Sequence, residues 1–411
     1  MKPGHCRFCD TPLRQRFVDL GEMPLANSYV LESRRGAKEA RYPLRASVCP
    51  SCRLVQADAF VEPKEIFSDY AYFSSYSDSW VAHAQRFATY ATARFGLTRA
   101  SQVVEVASND GYLLRHFIAA GIPALGIEPA ANVAQAARAA GVPTETRFFG
   151  ADVAVGLAAR GHRADLLVAN NVLAHVPDIN DFVAGLARLV KADGVVSVEF
   201  PHLLRLIESV QFDTIYHEHF YYLSLLAVEK IFAAHKLKVF DVQEWPTHGG
   251  SLRVLACPAA SHAHAETTGV AKVRADEAAA GFDADAVYDS FQERIAPIRA
   301  GLHAFLHQAH NEGKHVVAYG AAAKGNTLLN FCGVGPDQID YVVDRNPHKQ
   351  GHLLPGSHLP IHAPEKLAQT KPDFVLILPW NIKNEVMATN ALVRDWGGRF
   401  VVAVPDLAVL P

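Results

Sequence analysis

The sequence has 411 residues, of which half are hydrophobic and one fifth charged, a globular balance that excludes a disordered or fibrous protein. Lysine and arginine number 39 against 42 aspartate and glutamate residues, and the net charge of −3 gives no electrostatic footprint for binding nucleic acid. No apolar run is long enough to span a bilayer and the first residues do not resemble a signal peptide, so we expect a cytoplasmic protein without a membrane partner.

Four of the six cysteines form two Cys-x-x-Cys pairs, Cys6 with Cys9 and Cys49 with Cys52. Two residues between thiolates let both reach one ion from a tight turn, and two such pairs complete a tetrahedron that favours Zn²⁺. The alternatives are four unrelated buried cysteines or a redox pair, although neither pair opens a helix after a clear strand. We therefore predict one structural zinc ion per chain, in a module over residues 1–70.

The middle of the chain predicts a parallel sheet with helices on both faces, because short apolar runs alternate with helical patterns. A helix is predicted first, from Asp78 to Phe95. The predicted strands that follow are Val103–Val106, Ala124–Ile127, Thr144–Phe149, Asp165–Ala169 and Val195–Phe200. The helices between them are Tyr112–Ala120, Ala131–Ala140 and Ile179–Val190. A short turn joins Lys238–Glu244 to Ser251–Ala256, which predicts an antiparallel pair at the end of the sheet.

The last third of the chain predicts a second, smaller α/β domain. Residues 257–285 are rich in alanine, histidine and acidic residues and predict a linker or a solvated helix. Apolar residues between Val287 and Phe305 recur at spacings of three and four, which predicts one long amphipathic helix. The strands predicted after it are His315–Tyr319, Ile339–Val343, Phe374–Leu378 and Phe400–Val404. We therefore expect three domains, over residues 1–70, 71–257 and 258–411.

A glycine-containing turn follows the first strand of the central sheet, where such sheets bind ligands. Glu128 ends the second strand, where a carboxylate commonly accepts ribose hydroxyls, and its spacing suits NAD as well as S-adenosylmethionine. The turn lacks a G-x-G-x-x-G pattern, and Asp110 would repel a pyrophosphate but attract the ammonium and sulfonium groups of a methyl donor. A turn with a packing role alone is the other alternative. The predicted cofactor contacts are Glu105, Ala107, Asn109, Asp110, Gly111, Glu128 and Asn170.

The segment Tyr216-His-Glu-His219 concentrates titratable groups. One histidine could abstract a proton while its neighbours position a substrate, because a histidine near its ordinary pKa can act as a base at neutral pH. Alternatively His217 and His219 could bind a second metal, or the segment could be a polar surface loop. Asn171 and His175, which follow the fourth strand, favour a site role over a place in the core.

The turn Tyr319-Gly-Ala-Ala-Ala-Lys-Gly-Asn326 also follows a strand and precedes a helix. Its backbone N–H groups could hold an anion, with Lys324 as a point charge. A turn of small residues needed for close packing explains the pattern equally well. Trp380, after a later strand, could stack on a base or fill a half-buried packing position.

The two Cys-x-x-Cys pairs, Ala-Ser-Asn-Asp-Gly111, Tyr216-His-Glu-His219 and the Lys324 turn together resemble the sugar C-methyltransferases, particularly the NDP-hexose 3-C-methyltransferases. The resemblance covers nearly the whole chain. It implies a central class I methyltransferase sheet (Rossmann-like) between a zinc-binding module and a C-terminal Rossmann-like α/β domain. It also implies methylation of carbon 3 of a nucleotide-linked 4-keto-deoxysugar, with dTDP as the expected nucleotide, by a monomer.

The resemblance implies roles for individual residues as well. His219 is expected to be the base, with Tyr216, Glu218 and His175 completing the catalytic group. Substrate contact is expected at Tyr76, Ser79, Asn171, His248, Gly249, Lys324 and Asn326. The competing functions are an NAD-dependent oxidoreductase or epimerase acting on a nucleotide sugar and, less favoured by the charge, a zinc-ribbon adaptor that binds nucleic acid.

Overall fold

The computed structural model describes residues 4–58 and 73–410. The predicted domain boundary near residue 70 lies outside these residues. The N-terminal module contains an antiparallel sheet with β3 between β1 and β4, and a short strand, β2, that belongs to a different sheet. These strands are β1 (Gln15–Met23), β2 (Val30–Leu31), β3 (Tyr42–Val48) and β4 (Val55–Ala57).

The central part contains a seven-stranded sheet in the order β11-β12-β9-β8-β5-β6-β7, in which β12 runs antiparallel to both its neighbours and the other pairings are parallel. Its strands are β5 (Val103–Val106), β6 (Ala124–Ile127), β7 (Thr144–Glu145), β8 (Ala164–Asn170), β9 (Val190–Pro201), β11 (Leu237–Trp245) and β12 (Ser251–Pro258), while β10 (Tyr221–Tyr222) lies outside it. The helices are α1 (Asp78–Phe95), α2 (Leu114–Ala119), α3 (Ala131–Ala139), α4 (Ala151–Ala159), α5 (Ile179–Leu189), α6 (Leu203–Glu208) and α7 (Leu225–Ala234). This architecture confirms the predicted class I methyltransferase sheet.

Of the two alternatives predicted for residues 257–285, a linker or a solvated helix, the helix is present. Residues Thr268–Ala279 form helix α8, whose Val270 and Val273 are buried in the same apolar core as the central sheet. Its Glu277 is also buried and accepts the N–H groups of Leu225 and Leu226 at the start of α7, at 2.6 and 2.8 Å. The polar composition did not indicate this buried face, because its acidic residue is used inside the protein as a helix cap.

The C-terminal part contains a six-stranded sheet in the order β16-β14-β13-β17-β18-β19, parallel except for the last pair. After helices α9 (Ala286–Asp289) and α10 (Phe291–Asn311) come β13 (Val316–Tyr319), α11 (Ala323–Cys332), β14 (Val342–Val343), β15 (His352–Leu353), β16 (Ile361–His362), α12 (Lys366–Thr370), β17 (Phe374–Ile377), α13 (Lys383–Thr389), β18 (Arg399–Val402) and β19 (Ala408–Leu410). The predicted second α/β unit is therefore present. Over the two described stretches of chain, none of the helices has the length and apolarity to cross a bilayer.

Short strands join the three parts of the chain. Strand β10, which directly follows the His-Glu-His segment, pairs with β4 and becomes the fourth strand of the N-terminal sheet. Strand β2 pairs with β15 of the C-terminal part. The N-terminal sheet is therefore completed by residues that lie far away in the sequence.

Candidate functional site

The four predicted zinc ligands meet at one point. The sulfur atoms of Cys6, Cys9, Cys49 and Cys52 all lie within 4.8 Å of one another. The Cys6 and Cys52 sulfurs are 3.6 Å apart, and the Cys9 and Cys49 sulfurs are 3.5 Å apart. Thiolates at two corners of a zinc tetrahedron are about 3.8 Å apart, given a Zn–S bond of about 2.3 Å. The donor set therefore fits Zn²⁺.

Both cysteine pairs adopt the same turn. The N–H of Asp10 donates to the carbonyl of Cys6 at 2.9 Å, and the N–H of Arg53 donates to the carbonyl of Cys49 at 3.0 Å. The residue after each second cysteine has a positive φ, 58° at Asp10 and 66° at Arg53. This repeated backbone geometry aims the two thiols of each pair at the same point, and it opens no helix, in agreement with the sequence argument against a redox pair.

The predicted cofactor loop turns sharply at the end of β5. Ala107, Asn109 and Gly111 have φ values of 53°, 50° and 79°. A Cβ at Gly111 would lie 2.7 Å from Val142 Cγ2, so the loop needs glycine there to pack this closely. The glycine thus has a packing role, which the sequence analysis held open, in a loop that also carries polar groups.

Glu128 holds this loop in place. Its Oε2 accepts the N–H of Asn109 at 2.9 Å and its Oε1 accepts the N–H of Ala130 at 2.8 Å. Burial raises the pKa of Glu128 above its ordinary value. Each carboxylate oxygen retains a further lone pair, so the same side chain can still accept a hydroxyl.

Several buried polar atoms around the loop have no hydrogen-bond partner among the described residues. They are Ser108 Oγ, Asp110 Oδ1 and Asn170 Oδ1, and they lie near the buried Glu105 carboxylate, which interacts with Tyr112. Burial raises the pKa of Glu105 well above its ordinary value. Buried polar groups are nearly always hydrogen-bonded, so these atoms indicate a place for a polar ligand. A set made mostly of acceptors fits the hydroxyl, ammonium and sulfonium groups of S-adenosylmethionine.

Two serines that the sequence analysis did not single out contact the cofactor loop. The N–H of Ser74 donates to Asn109 Oδ1 at 2.8 Å. Ser75 donates to Asp110 Oδ2 through its N–H, at 3.1 Å, and through its hydroxyl. Nothing in the sequence distinguishes these two serines from the other serines.

The two residues that were predicted in this segment lie differently. The Tyr76 side chain is exposed, and its ring centroid lies 5.6 Å from that of Phe73. Ser79 Oγ donates to Glu385 Oε2 of the C-terminal part at 3.0 Å. Contact of Tyr76 and Ser79 with a substrate stays a prediction, and Ser79 has a protein partner that the sequence did not reveal.

His219 lies in a cluster of rings after the short helical turn that ends at Thr214. A carbonyl oxygen can only accept, so the 2.8 Å contact with the Thr214 carbonyl places a proton on His219 Nδ1 and leaves a lone pair on Nε2. The Tyr216 and His175 ring centroids lie 4.0 and 4.6 Å from that of His219. Burial lowers the pKa of His219 well below its ordinary value, so the ring is neutral at pH 7.

His175 is fixed in the same way. Its Nδ1 donates to the carbonyl of Glu218 at 2.9 Å, and burial lowers its pKa to about 4. Its Nε2 therefore carries a lone pair and does not donate. This geometry limits His175 to accepting hydrogen bonds in its neutral form.

The other two groups of the His-Glu-His segment turn toward the N-terminal module. Glu218 Oε1 accepts from Asn27 Nδ2 at 2.6 Å, and His217 Nε2 donates to the carbonyl of Tyr42 at 3.2 Å. His217 and His219 thus donate to carbonyls in separate parts of the molecule. The only set of three or more potential metal ligands within the described residues is the cysteine tetrad. The structure does not support a second metal at this segment.

His248 lies in the turn between β11 and β12, with a φ of 55°. Its ring centroid is 5.2 Å from that of Trp80, and its buried Nδ1 has no hydrogen-bond partner within the described ranges 4–58 and 73–410. At the neighbouring Gly249, a Cβ would lie 2.6 Å from Trp380 of the C-terminal part. Gly249 therefore lets the two parts approach closely at the turn that carries His248.

A buried charged network supports this turn. Glu199 accepts from Arg253 Nη2 at 2.7 Å, from His83 Nε2 at 2.9 Å and from Thr247 Oγ1 at 3.2 Å. Burial opposes ionisation, but the hydrogen bond from His83 and the charge of Arg253 hold the pKa of Glu199 below its ordinary value. The ionised carboxylate thereby fixes Thr247 and, with it, the next residue, His248.

Lys324 provides the positive charge where the central and C-terminal parts meet. Its Nζ donates to Asn381 Oδ1 at 2.7 Å and lies 4.8 Å from the centroid of the Trp380 ring. Trp380 Nε1 in turn donates to Asp213 Oδ2 at 2.7 Å, and burial raises the pKa of Asp213 to about 6. Asp213 lies in a short polar stretch without a recognisable motif, so it could not be predicted as a site residue.

One N–H group of the turn before Lys324 is already used within the protein. The N–H of Ala321 donates to Asp344 Oδ2 at 2.7 Å, so a carboxylate already occupies this group. Asn326 is 1% exposed and donates through Nδ2 to the carbonyl of Ala26 in the N-terminal module. Asn326 therefore helps to pack the two modules together, and a substrate contact at Asn326 stays a prediction.

Comparison with known proteins agrees with this arrangement along the whole chain. Residues 6–67 match the family of zinc binding domains, residues 80–242 a methyltransferase domain, and residues 246–405 the C-methyltransferase C-terminal domain. The chain is 36% identical to the C-methyltransferase NovU of Streptomyces niveus over 405 residues, which is 98% of this chain and 96% of that protein. The chain belongs to the C-methyltransferase family. It is accordingly a C-methyltransferase that uses S-adenosylmethionine, and the oxidoreductase and adaptor alternatives are not favoured.

Solved structures resemble the C-methyltransferase over less than half of its length. Magnesium protoporphyrin IX methyltransferase from Synechocystis PCC 6803, with bound S-adenosylhomocysteine, is 14% identical and covers 43% of this chain and 82% of its own, at a TM-score of 0.35. The CcbJ methyltransferase from Streptomyces caelestis is 12% identical and covers 43% of this chain and 90% of its own, at a TM-score of 0.36.

The buried histidines make the stability of the C-methyltransferase depend on pH. Burial lowers the pKa of His248 to about 4, and the charge of Lys324 adds to this effect while that of Glu199 opposes it. The unfolded chain then binds more protons than the folded one between about pH 6.5 and pH 4. The stabilisation linked to His248 is full above about pH 6.5 and is lost as the pH falls toward 4.

Asp213 has a raised pKa, so it makes the stability change with pH in the direction opposite to His248. A variant of His248 therefore separates the contribution of this histidine from that of Asp213. We expect the stability of the wild type relative to His248→Gln to decrease as the pH is lowered from 7 to 5. The measurement is the urea midpoint of both proteins at several pH values. Midpoints that change in parallel would show that His248 is not buried in its neutral form.

Proposed function

We propose that this C-methyltransferase methylates carbon 3 of a nucleotide-linked 4-keto-deoxysugar, with dTDP as the nucleotide. The supporting observation is the state of His219, a buried neutral imidazole whose Nδ1 is committed to the Thr214 carbonyl and whose Nε2 carries a lone pair. Carbon becomes a nucleophile most readily next to a carbonyl, where a base of this kind can remove a proton. The similarity to NovU supports the class of reaction.

In the proposed reaction, His219 Nε2 takes the proton from carbon 3, and the electrons of the C–H bond form an enolate with the 4-keto group. The enolate carbon then forms a bond to the methyl group, while the electrons of the S–CH₃ bond return to sulfur. S-adenosylmethionine supplies that electrophilic methyl group when it is bound. The chain's own task is to hold the two reactants in line and to stabilise the enolate oxygen.

The tautomer of His175 excludes it from the groups that can stabilise the enolate oxygen. His175 donates its only proton to the Glu218 carbonyl, so it does not donate to an oxyanion. The side chains that can donate are the Asn171 amide, through its Nδ2, and His248, whose Nδ1 is buried without a hydrogen-bond partner among the described residues. We place Tyr216, 4.0 Å from His219 between ring centroids, beside the base. Lys324 and Trp380 would receive the charged nucleotide end of the substrate.

The residues that would hold the methyl donor are the buried polar groups of the loop, chiefly the carboxylate of Glu105. We expect S-adenosylhomocysteine to bind the wild type while NAD does not. Replacement of Glu105 by Ala is expected to weaken this binding about 10- to 100-fold, because a hydrogen bond to a charged group contributes about 1.5–3 kcal/mol. Titration calorimetry measures both ligands. Glu229→Gln, which alters a carboxylate paired with Arg274 at the surface, is the control and should bind normally.

The position of the new methyl group tests the substrate assignment. Incubation with dTDP-4-keto-6-deoxyglucose and labelled S-adenosylmethionine should give a product whose carbon NMR spectrum places the label on carbon 3. Carbon 5 lies on the other side of the keto group and is acidified equally. A label on carbon 5 would overturn the position but retain the chemistry, and no transfer to any keto-sugar would overturn the proposed function.

A further inference from the structure

The N-terminal module contacts the catalytic segment through an arginine inside the zinc site. Arg7 lies between two of the predicted ligands, Cys6 and Cys9. Its Nη2 donates to the carbonyl of Ala57 in β4 and to the carbonyl of Phe220, at 2.7 Å in each case. Phe220 is the residue directly after His219. One guanidinium group therefore ties the zinc knuckle to the chain next to the proposed base.

Further contacts hold the guanidinium and its target. The carbon of the guanidinium lies 5.5 Å from the ring centroid of Phe220 and 4.9 Å from that of Tyr221. The N–H of Arg7 donates to Gln56 Oε1 at 3.0 Å, and the N–H of Ala57 donates to the carbonyl of Phe220 at 3.0 Å. The Phe220 carbonyl thus has two donors from the N-terminal module. This arrangement restrains both the backbone and the rings that follow His219.

The same stretch is also bound to the segment that follows β8 of the central sheet. The N–H of Phe220 donates to the carbonyl of Ala174 at 2.7 Å, next to His175. The hydroxyl of Tyr222 donates to the carbonyl of His219 at 3.2 Å. Loss of Arg7 would weaken the restraints from the N-terminal module and leave those just described. The His219 backbone could then shift relative to the cofactor loop.

We infer that Arg7 is a positioning residue for His219, through which the metal-binding module sets the geometry of the proton transfer. The inference rests on the role of His219 in the proposed function. A shift of about 1 Å in a reacting group can cost about 100-fold in rate, so a small loss of restraint is measurable. Arg7 touches neither reacting atom in this assignment. It acts through the chain that carries the base.

The second zinc knuckle offers a matched control. Arg53 follows Cys52 and also makes two short contacts, to Asp285 Oδ1 and to the carbonyl of Asp283, both at 2.5 Å. These partners are distant in sequence from the His-Glu-His segment. Arg53→Met therefore removes an equivalent arginine from the same module without touching the chain next to His219.

The test compares Arg7→Met, Arg7→Lys and Arg53→Met in the full-length zinc-loaded enzyme. We expect Arg7→Met to lower kcat about tenfold, with unchanged zinc content and an unchanged KM for S-adenosylmethionine. Arg7→Lys should recover part of the rate because its ammonium can still donate to a carbonyl. Arg53→Met should retain the kcat of the wild type. A normal kcat in Arg7→Met, or an equal loss in Arg53→Met, would overturn the inference.

A second readout does not depend on turnover. Nitrogen NMR of ¹⁵N-histidine-labelled enzyme reports the two ring nitrogens of His219, whose signals are assigned by their absence in His219→Asn. Arg7→Met should change these signals and Arg53→Met should not. If the wild type methylates no keto-sugar but this difference is seen, the proposed function fails while the positioning role stands. Unchanged His219 signals in Arg7→Met would contradict the positioning role whatever the substrate.

Discussion

Replacement of His219 by Asn is expected to lower methyl transfer by about 10²–10⁴-fold, the usual contribution of a general base. The amide nitrogen of Asn can occupy the position of Nδ1 and retain the hydrogen bond to the Thr214 carbonyl, which is 2.8 Å long in the wild type. The substitution therefore removes Nε2 while the local backbone is preserved. Turnover and the exchange of the carbon 3 proton with solvent deuterium should both disappear.

His217→Asn is the control for this experiment. His217 lies two residues earlier, and its Nε2 donates to the Tyr42 carbonyl in the N-terminal module. We expect it to retain turnover and exchange. If His219→Asn continued to exchange the proton, the base would lie elsewhere, and Tyr216, whose ring is 4.0 Å away between centroids, would be the next residue to test.

Replacement of Cys6 by Ser is expected to remove zinc and to destabilise the N-terminal module by several kcal/mol. Structural zinc sites with four protein ligands contribute about 10–16 kcal/mol of binding free energy in small domains, so even partial loss of affinity lowers stability strongly. Metal analysis should find about one zinc per chain in the wild type and much less in the variant. Thermal unfolding followed by circular dichroism measures the change in stability.

Cys332→Ser is the matched control, because Cys332 is buried in the core outside the tetrad. It should retain zinc, whatever packing it loses. Molecules of Cys6→Ser that remain folded and zinc-loaded should turn over like the wild type, since four thiolates leave no open position on the ion. A Cys6→Ser protein with full zinc content and normal stability would show that the four sulfurs do not form the site.

Much of the architecture could be predicted from the sequence because it depends on local patterns. The alternation of apolar strands with helices located β5, β6 and β8 to within about a residue, and the short turn predicted the antiparallel pair β11 and β12. The cysteine spacing predicted a tetrad that the structure brings together. The Gly111 turn was located from its position after the first predicted strand, and the structure shows that its glycine approaches Val142 closely.

The remaining features depend on contacts between residues distant in sequence, which no local pattern encodes. Asn27 contacts Glu218 across 191 residues, and Trp380 contacts Asp213 across 167 residues. The buried face of helix α8 could not be predicted, because Glu277 has the pattern of a solvent-exposed acid unless the start of α7 is known to need its carboxylate. The contact of Asn326 with Ala26 could not be predicted either, because the two residues lie 300 positions apart.

The late arrival of β10 in the N-terminal sheet has a consequence for how the chain is made. The zinc ligands are synthesised early. Strand β4 gains its outer neighbour only after Tyr222 has been synthesised, and Phe220, whose carbonyl accepts from Arg7, lies 213 residues after Arg7. During that interval the nascent module exposes an unpaired strand edge, which is open to wrong pairing with other chains. An N-terminal fragment ending near residue 70 should therefore aggregate on its own, and zinc bound during translation would stabilise the module until its last strand arrives.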